Sequence, residues 1–354
     1  MSEPDRTPSA EPQPVDWAFL IPMAILFVAG SFGVVYGKIR DGRVVADAAA
    51  KQEALRQEIA SKESTKAPYT IPYDLEQPDW FRLLPLELNE ISGFTVNEAG
   101  DGGWAVNDEI GALYPFALVE GLVGKPFEFA GRGDYEGIEI VGNEVVVARS
   151  DGKLLRVRNG KVKEVESPLD YENDVEGLAL DGARSRLLVA CKGRAGKGKA
   201  FKRARGIYAL SLPEFEWDEV PAYVVTFSDL KKFIKDVDVP GLKGSAAKDF
   251  APSAIAVSPD DQYIYILSSV GRMLVVLDIA GDIVAVAALP RGVHRQPEGL
   301  AFDSQGAMYV SNEGRDRAGS LFRFDPIDEE RADVDDGEMG WDQSAARGRE
   351  TSRP

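Results

Sequence analysis

Five segments of this chain repeat one short pattern, and a chain that repeats itself at this spacing has few folds open to it. The pattern is a pair of polar or turn residues, then Glu or Ser, a small residue, an aliphatic or aromatic residue and a short strand. It occurs at 89–94, 134–138, 174–178, 251–255 and 296–300. The Glu or Ser positions are Ser92, Glu136, Glu176, Ser253 and Glu298, separated by 44, 40, 77 and 45 residues. A period of ~40–45 residues is that of a four-stranded propeller blade. Apolar strands are predicted after each signature at 103–107, 144–149, 186–191, 263–268 and 307–312. Second strands follow across Gly-containing turns, as in ARSDGKLLRV and SSVGRMLVVLD. No helical pattern alternates with these strands, which excludes a βαβ sheet.

The interval of 77 predicts one swollen blade rather than an extra one. Residues 192–206 lengthen a hairpin, 207–211 and 223–227 supply the third and fourth strands, and 228–236 reads as a short helix. The expectation is therefore an all-β, five-bladed propeller over 81–326, with six blades as the alternative. The last repeat supplies three strands. Residues 81–88, FRLLPLEL, are expected to add the missing outer strand and so close the ring.

Residues 17–37 contain no charged side chain and would span roughly 31 Å as a helix, enough for a hydrocarbon core. The preceding tail, 1–16, is acidic and Pro-rich, unlike the basic start of a cleaved signal peptide. A transmembrane signal-anchor helix is thus expected at 17–37, a helical stalk at 38–66 and a Pro-containing linker at 67–80. Lys38, Arg40, Arg43 and Lys51 follow the span closely and only Arg6 precedes it, which favours a cytoplasmic propeller. Residues 327–354 form an acidic tail of low hydrophobicity, expected to be disordered.

Several segments together resemble the SdiA-regulated domain family of YjiK-like propellers. They are ELNEISGF, AVNDEIGALYPF, GDYEGIEI, NDVEGLALD, SPDDQYIYILSS and QPEGLAFDSQGAMYVSNEG, covering roughly 82–325. The resemblance implies a propeller akin to NHL-repeat and to esterase-like or phytase-like propellers. It also implies a domain outside the cytoplasm at the bacterial inner membrane, in conflict with the flanking charges. The acidic N-terminal tail departs from the family habit.

In a propeller the first strand of each blade lines the channel, so equivalent residues converge on the axis. Ser92, Glu136, Glu176, Ser253 and Glu298 are therefore expected to form a ring. Three carboxylates in a ring require a cation or proton between them, and a calcium-like ion suits loose oxygen ligation. The competing expectation is that each Glu caps backbone amides of the neighbouring blade. Asn107, Asp108, Arg149, Lys192, Ser269, Asn312 and Glu313 end the next strands and form a second candidate tier for binding a small molecule or protein. Glu136 and Glu298 are the candidate catalytic bases if the protein is a metal-dependent hydrolase of an ester or phosphate; a ligand-binding or partner-binding module is the first reading.

Composition excludes other chemistries. With a single cysteine, Cys191, and a single histidine, His294, the chain has no internal disulfide and no thiolate or His-rich metal site. A net charge of −17 argues against nucleic acid as a partner. The exception to the acidity is 192–206, with seven basic residues in fifteen. It is expected to be a solvated arm, with anionic lipid or the acidic tail as alternative contacts.

Overall fold

The computed structural model describes residues 69–327, apart from 119–121, 197–198 and 316, together with four isolated helical positions, Ala46, Ala50, Glu53 and Ala54. The expected membrane span at 17–37 and the acidic tail at 328–354 lie outside the described residues, as does most of the stalk. Among the described residues no helix is long and apolar enough to cross a membrane.

The described chain enters through β1 (Trp80–Leu83) and then lays down five sheets in sequence. Blade 1 comprises β2 (Ile91–Val96), β3 (Gly102–Asn107) and β4 (Ile110–Ala117), on which β5 (Leu122–Val123) and β6 (Phe127–Arg132) both pair. Blade 2 is a plain four-stranded meander of β7 (Tyr135–Val141), β8 (Glu144–Arg149), β9 (Leu154–Arg158) and β10 (Lys161–Val165). Its last turn is Asn159-Gly160, both with positive φ, the geometry a tight two-residue hairpin demands. Blade 3 contains β11 (Val175–Asp181), β12 (Arg186–Cys191) and β13 (Ala204–Ser211), with β14 (Glu216–Trp217) and β15 (Tyr223–Thr226) sharing the edge of β13.

Helix α1 (Phe227–Val237) follows, started by the Thr226 hydroxyl accepting from the Asp229 amide. Blade 4 is β16 (Ala254–Val257), β17 (Tyr263–Ser268), β18 (Met273–Asp278) and β19 (Ile283–Ala288). Blade 5 is β20 (Pro297–Phe302), β21 (Met308–Asn312) and β22 (Ser320–Phe324), completed by β1 from the start of the domain. The five-blade count, the swollen third blade, the short helix and the N-terminal closing strand all match expectation. The closing strand is shorter than 81–88, because Pro85 stops it and Leu86–Leu88 forms a single 3-10 turn.

The innermost strands β2, β7, β11, β16 and β20 touch in cyclic order, β20 returning to β2. The small residue of each signature permits this. A Cβ on Gly177 would lie 3.0 Å from the Ile255 amide nitrogen and 3.2 Å from Ala254 Cα, so any side chain there would push blades 3 and 4 apart.

Apolar side chains fill the wedges between blades. Leu188, Ile207, Tyr223, Leu230, Phe250 and Ile266 pack between blades 3 and 4, the inner face of α1 included. Full burial of one such leucine contributes ~1.5–3 kcal/mol. Residues 69–75, expected as linker, dock on blades 4 and 5. Tyr73 and Leu75 are buried, Tyr69 stacks on Tyr263, and the Tyr73 hydroxyl donates to Gly306 O at 2.8 Å. His294 locks this docking: it is fully buried, stacks on Phe324 and bonds Leu75 O at 3.0 Å through Nε2. Burial lowers its pKa to about 4. It is a packing residue.

Candidate channel-face site

Strand pairing places all the expected site residues at one end of the propeller. Ile91 faces Asn107, Tyr135 faces Arg149, Val175 faces Cys191 and Pro297 faces Asn312. Each signature therefore begins its inner strand beside the end of the next strand. In blades 1, 2, 3 and 5 the register slips at the signature, between Ile91 and Gly93, Tyr135 and Ile138, Val175 and Gly177, and Pro297 and Gly299. Ser92, Glu136, Glu176 and Glu298 thus sit on β-bulges, which re-aim a side chain out of the normal alternation.

The ring divides into two kinds of member. The Ser92 hydroxyl donates to Tyr135 O at 2.5 Å, and the Ser253 hydroxyl donates to Pro297 O at 2.7 Å. Each serine therefore ties its blade to the backbone of the next, a role the capping expectation gives to the glutamates and to amides rather than carbonyls. The glutamates do not cap the next blade in this way. Glu176 is buried and takes the Lys192 ammonium at 2.7 Å, while Glu136 and Glu298 are largely covered beside it.

Electrostatics joins these groups into one cluster. Burial first, then the charges of Glu176 and Asp134, hold the Glu136 carboxyl far above the usual range. Burial also raises Glu176, although the Lys192 charge and hydrogen bond oppose it. Burial pushes Glu298 up to about 8, against Lys192 and with Glu136 and Glu313. Burial alone would lower Lys192; Glu176 and the other carboxylates reverse this and raise it. All three ring carboxyls are therefore pushed toward their protonated form, beside one ammonium.

The second tier lies on the same face. Asp108 is raised to about 6 by burial and then by Glu90 and Glu313, and its Oδ1 is buried without a hydrogen-bond partner. Arg149 bonds Asp151 at 2.9 Å and leaves Nε unpartnered. Asn107 is spent on the backbone, accepting from Ile110 N and donating to Glu87 O. The matching Asn312 accepts from Gln296 N but leaves Nδ2 buried and unpartnered. Glu313 pairs with Gln296, and Ser269 hydrogen-bonds Glu298.

Three acidic residues at the rim, Glu90, Asp134 and Asp174, belong to this face although sequence reasoning did not select them. Their signal was available, since they stand two residues before the Ser or Glu of the signature in three repeats. Between the glutamates and the inner strands lies a cavity of ≈ 10 Å³, room for about one water.

Calcium takes six to eight oxygens at ~2.3–2.6 Å, and the residues present do not fit it. An ammonium already lies against Glu176, where a metal in the ring would have to sit. Among the described residues no three Asp, Glu, His or Cys side chains are grouped to hold a metal.

The basic stretch at 192–206 is more engaged than a solvated arm would be. Lys192 binds Glu176, Arg194 reaches Glu172 at 3.4 Å, and the Arg205 guanidinium covers the Phe227 ring at 4.7 Å. Ala195, Phe201 and Ala204 form a small core of their own beneath it. The apolar residues interleaved with the charges anchor what charge count alone reads as free.

Residues 221–315 match the SdiA-regulated family, a narrower stretch than the 82–325 over which the sequence motifs run. No curated protein sequence matches the chain. Among solved structures the chain is similar to the glutaminyl cyclase of Myxococcus xanthus, at 13% identity over 71% of this chain and 97% of that one, with a TM-score of 0.47. It is also similar to a luciferin-regenerating enzyme, at 10% identity over 68% and 92%, TM-score 0.43. A chain of the nidogen/laminin complex follows at 11% over 63% and 72%, TM-score 0.41. These likenesses carry no argument about what this chain does.

Proposed function

Starting from a propeller that carries an SdiA-regulated segment, we propose a membrane-tethered binding module whose channel face captures a cationic group of a small molecule or partner protein. One observation carries the reading. Asp108, Glu136, Asp174, Glu176, Glu298 and Glu313 are all raised by burial and also by neighbouring carboxylates, Glu90 and Asp134 among them, at a single end of the channel. Within that field the buried Asp108 Oδ1 lacks a partner. A concave, carboxylate-lined face concentrates cations and speeds their arrival, and an unpaired buried acceptor gives an arriving N–H donor a specific seat.

Titration calorimetry of the full chain in detergent with spermidine or an Arg-rich peptide tests this. Saturable binding that Asp108→Asn weakens about tenfold, ~1.4 kcal/mol, is the expected result. Absence of binding at low ionic strength would overturn it. The tether at 17–37 rests on sequence and is tested by carbonate extraction. The family habit supports an extracytoplasmic propeller, and a reporter fused at Pro354 tests the side.

The alternative of a hydrolase draws support from the raised Glu136 and Glu298 carboxyls. Held above the ordinary carboxylate range, they suit the role of general acid better than that of base. With ≈ 10 Å³ beneath the ring, a substrate would have to sit above it. Turnover of aryl esters or aryl phosphates that Glu298→Gln abolishes would move the assignment to this class.

A further inference from the structure

We propose that the Lys192 ammonium is the permanent cation of the carboxylate ring, so that the chain carries in its own sequence the positive charge such a ring would otherwise take from a metal. The inference rests on reading this face as the site and specifies its charge chemistry: an organic cation is the visitor, and no divalent ion is resident.

The blades themselves provide the comparison. The residue just past the second strand occupies one repeated slot, held by its backbone amide. Asp108 N donates to Glu90 O at 3.2 Å, Ser150 N to Asp134 O at 3.0 Å, Lys192 N to Asp174 O at 2.7 Å and Glu313 N to Gln296 O at 2.9 Å. In blade 4 the Ser269 amide donates instead to the Ser253 hydroxyl at 3.3 Å. Five blades thus offer Asp, Ser, Lys, Ser and Glu at this slot, and blade 3 alone offers a cation. The same blade supplies the most deeply buried ring glutamate, Glu176, whose side chain is 4% exposed and meets Lys192 Nζ at 2.7 Å.

The mount of this lysine is rigid. Beyond it, Gly193 N donates to Asn173 O at 2.8 Å and Arg194 N to Glu172 O at 3.0 Å, continuing the strand pairing. A Cβ at Gly193 would collide with the Glu172 and Asn173 carbonyls, so the backbone there lies tight against its partner. From this position the Lys192 charge reaches Glu136, Asp174, Glu176, Glu298 and Glu313 together. A metal at the ring would have to displace an ammonium that cannot diffuse away.

The test is calorimetric titration of the full chain in detergent with CaCl2 and with MgCl2. Wild type is expected to show no binding that depends on Glu176. Lys192→Ala is expected to gain one Ca²⁺ site per chain, at least 100-fold tighter than anything in wild type, and Lys192→Ala/Glu176→Gln to lose it. Wild type that binds one Ca²⁺ lost in Glu176→Gln overturns the proposal, and so does a folded Lys192→Ala that gains no site. Should Lys192→Ala not fold, the wild-type titration decides by itself. Spermidine titrations separate this idea from the one beneath it. Wild type that takes both Ca²⁺ and spermidine sinks the resident-lysine idea and leaves the cationic-ligand face. Wild type that takes neither sinks the face and leaves the lysine's place in the ring intact.

Discussion

Blades 1 and 4 carry serine at the position where blades 2, 3 and 5 carry glutamate, and the two groups use the same place on the axis for opposite ends. Ser92 and Ser253 spend their hydroxyls on the backbone of the next blade, Tyr135 O and Pro297 O. Each of those carbonyls belongs to the residue just before a ring glutamate, Glu136 or Glu298. The serine blades therefore hold the backbone that presents the glutamates of their neighbours. One class of residue secures the ring and the other charges it. A repeat does not imply a shared role.

The most severe way to break this division is Ser253→Glu, which removes a cross-blade bond at a residue 1% exposed and adds a fourth buried carboxylate. A loss of about 4 kcal/mol or more is expected, read as failure to fold or a steep drop in melting temperature. Mild behaviour would mean the two slots are interchangeable. Next comes Lys192→Met, which strands Glu176 in the ring. Breaking a buried pair by removing one partner costs on the order of 3 kcal/mol. The cost should be larger at pH 9 than at pH 6, where Glu176 can hold a proton instead, and urea unfolding at both pH values checks this.

Glu298→Gln sharpens the comparison through pH. Its folded pKa of about 8 lies above the ordinary 4.5, so the folded state holds a proton that the unfolded state has released. Stability therefore falls as pH rises from about 4.5 through 8. The variant should flatten that slope and be more stable than wild type at pH 9 by roughly 2 kcal/mol, with little difference at pH 4. His294 works in the opposite sense. Its folded pKa is lowered to about 4 from 6.5, so its effect is a loss of stability as pH falls through that range. The window between pH 6.5 and 8 thus isolates the glutamates. An unchanged slope there in Glu298→Gln would show that this carboxyl is not held protonated. The smallest effect is expected for Ser92→Ala, about 1 to 2 kcal/mol and independent of pH, from an unsatisfied Tyr135 carbonyl. If that loss varies with pH between 6.5 and 8, the serine is coupled to the charges after all.

The architecture was legible because a period of ~40–45 residues and alternating strands constrain topology strongly. Spacing also made Ser92, Glu136, Glu176, Ser253 and Glu298 equivalent. It did not say where their side chains aim, because a one-residue bulge at the signature decides that and leaves no mark on a repeat count. Glu139 shows a second limit. It accepts from Thr95 Oγ1, Ile140 N and Leu180 N across three blades, yet it stands outside the repeated pattern and so escaped notice. Residues 69–75 read as linker because Pro68, Pro72 and Pro78 announce an extended chain, whereas Tyr69, Tyr73 and Leu75 have a specific aromatic surface to meet on blades 4 and 5.

The pairing of β1 with β22 sets a timetable for the whole domain. Trp80 must wait for Arg323 and Leu83 for Ser320, so the first strand to leave the ribosome is the last to find its place. Contacts this distant along the chain slow folding. Until residue 324 has been made, blade 5 lacks two of its four strands and an apolar edge stays open to passing chains. Late truncations should accordingly aggregate during synthesis rather than yield a smaller propeller, and whatever holds the N-terminal strand near the nascent chain would shorten that exposure.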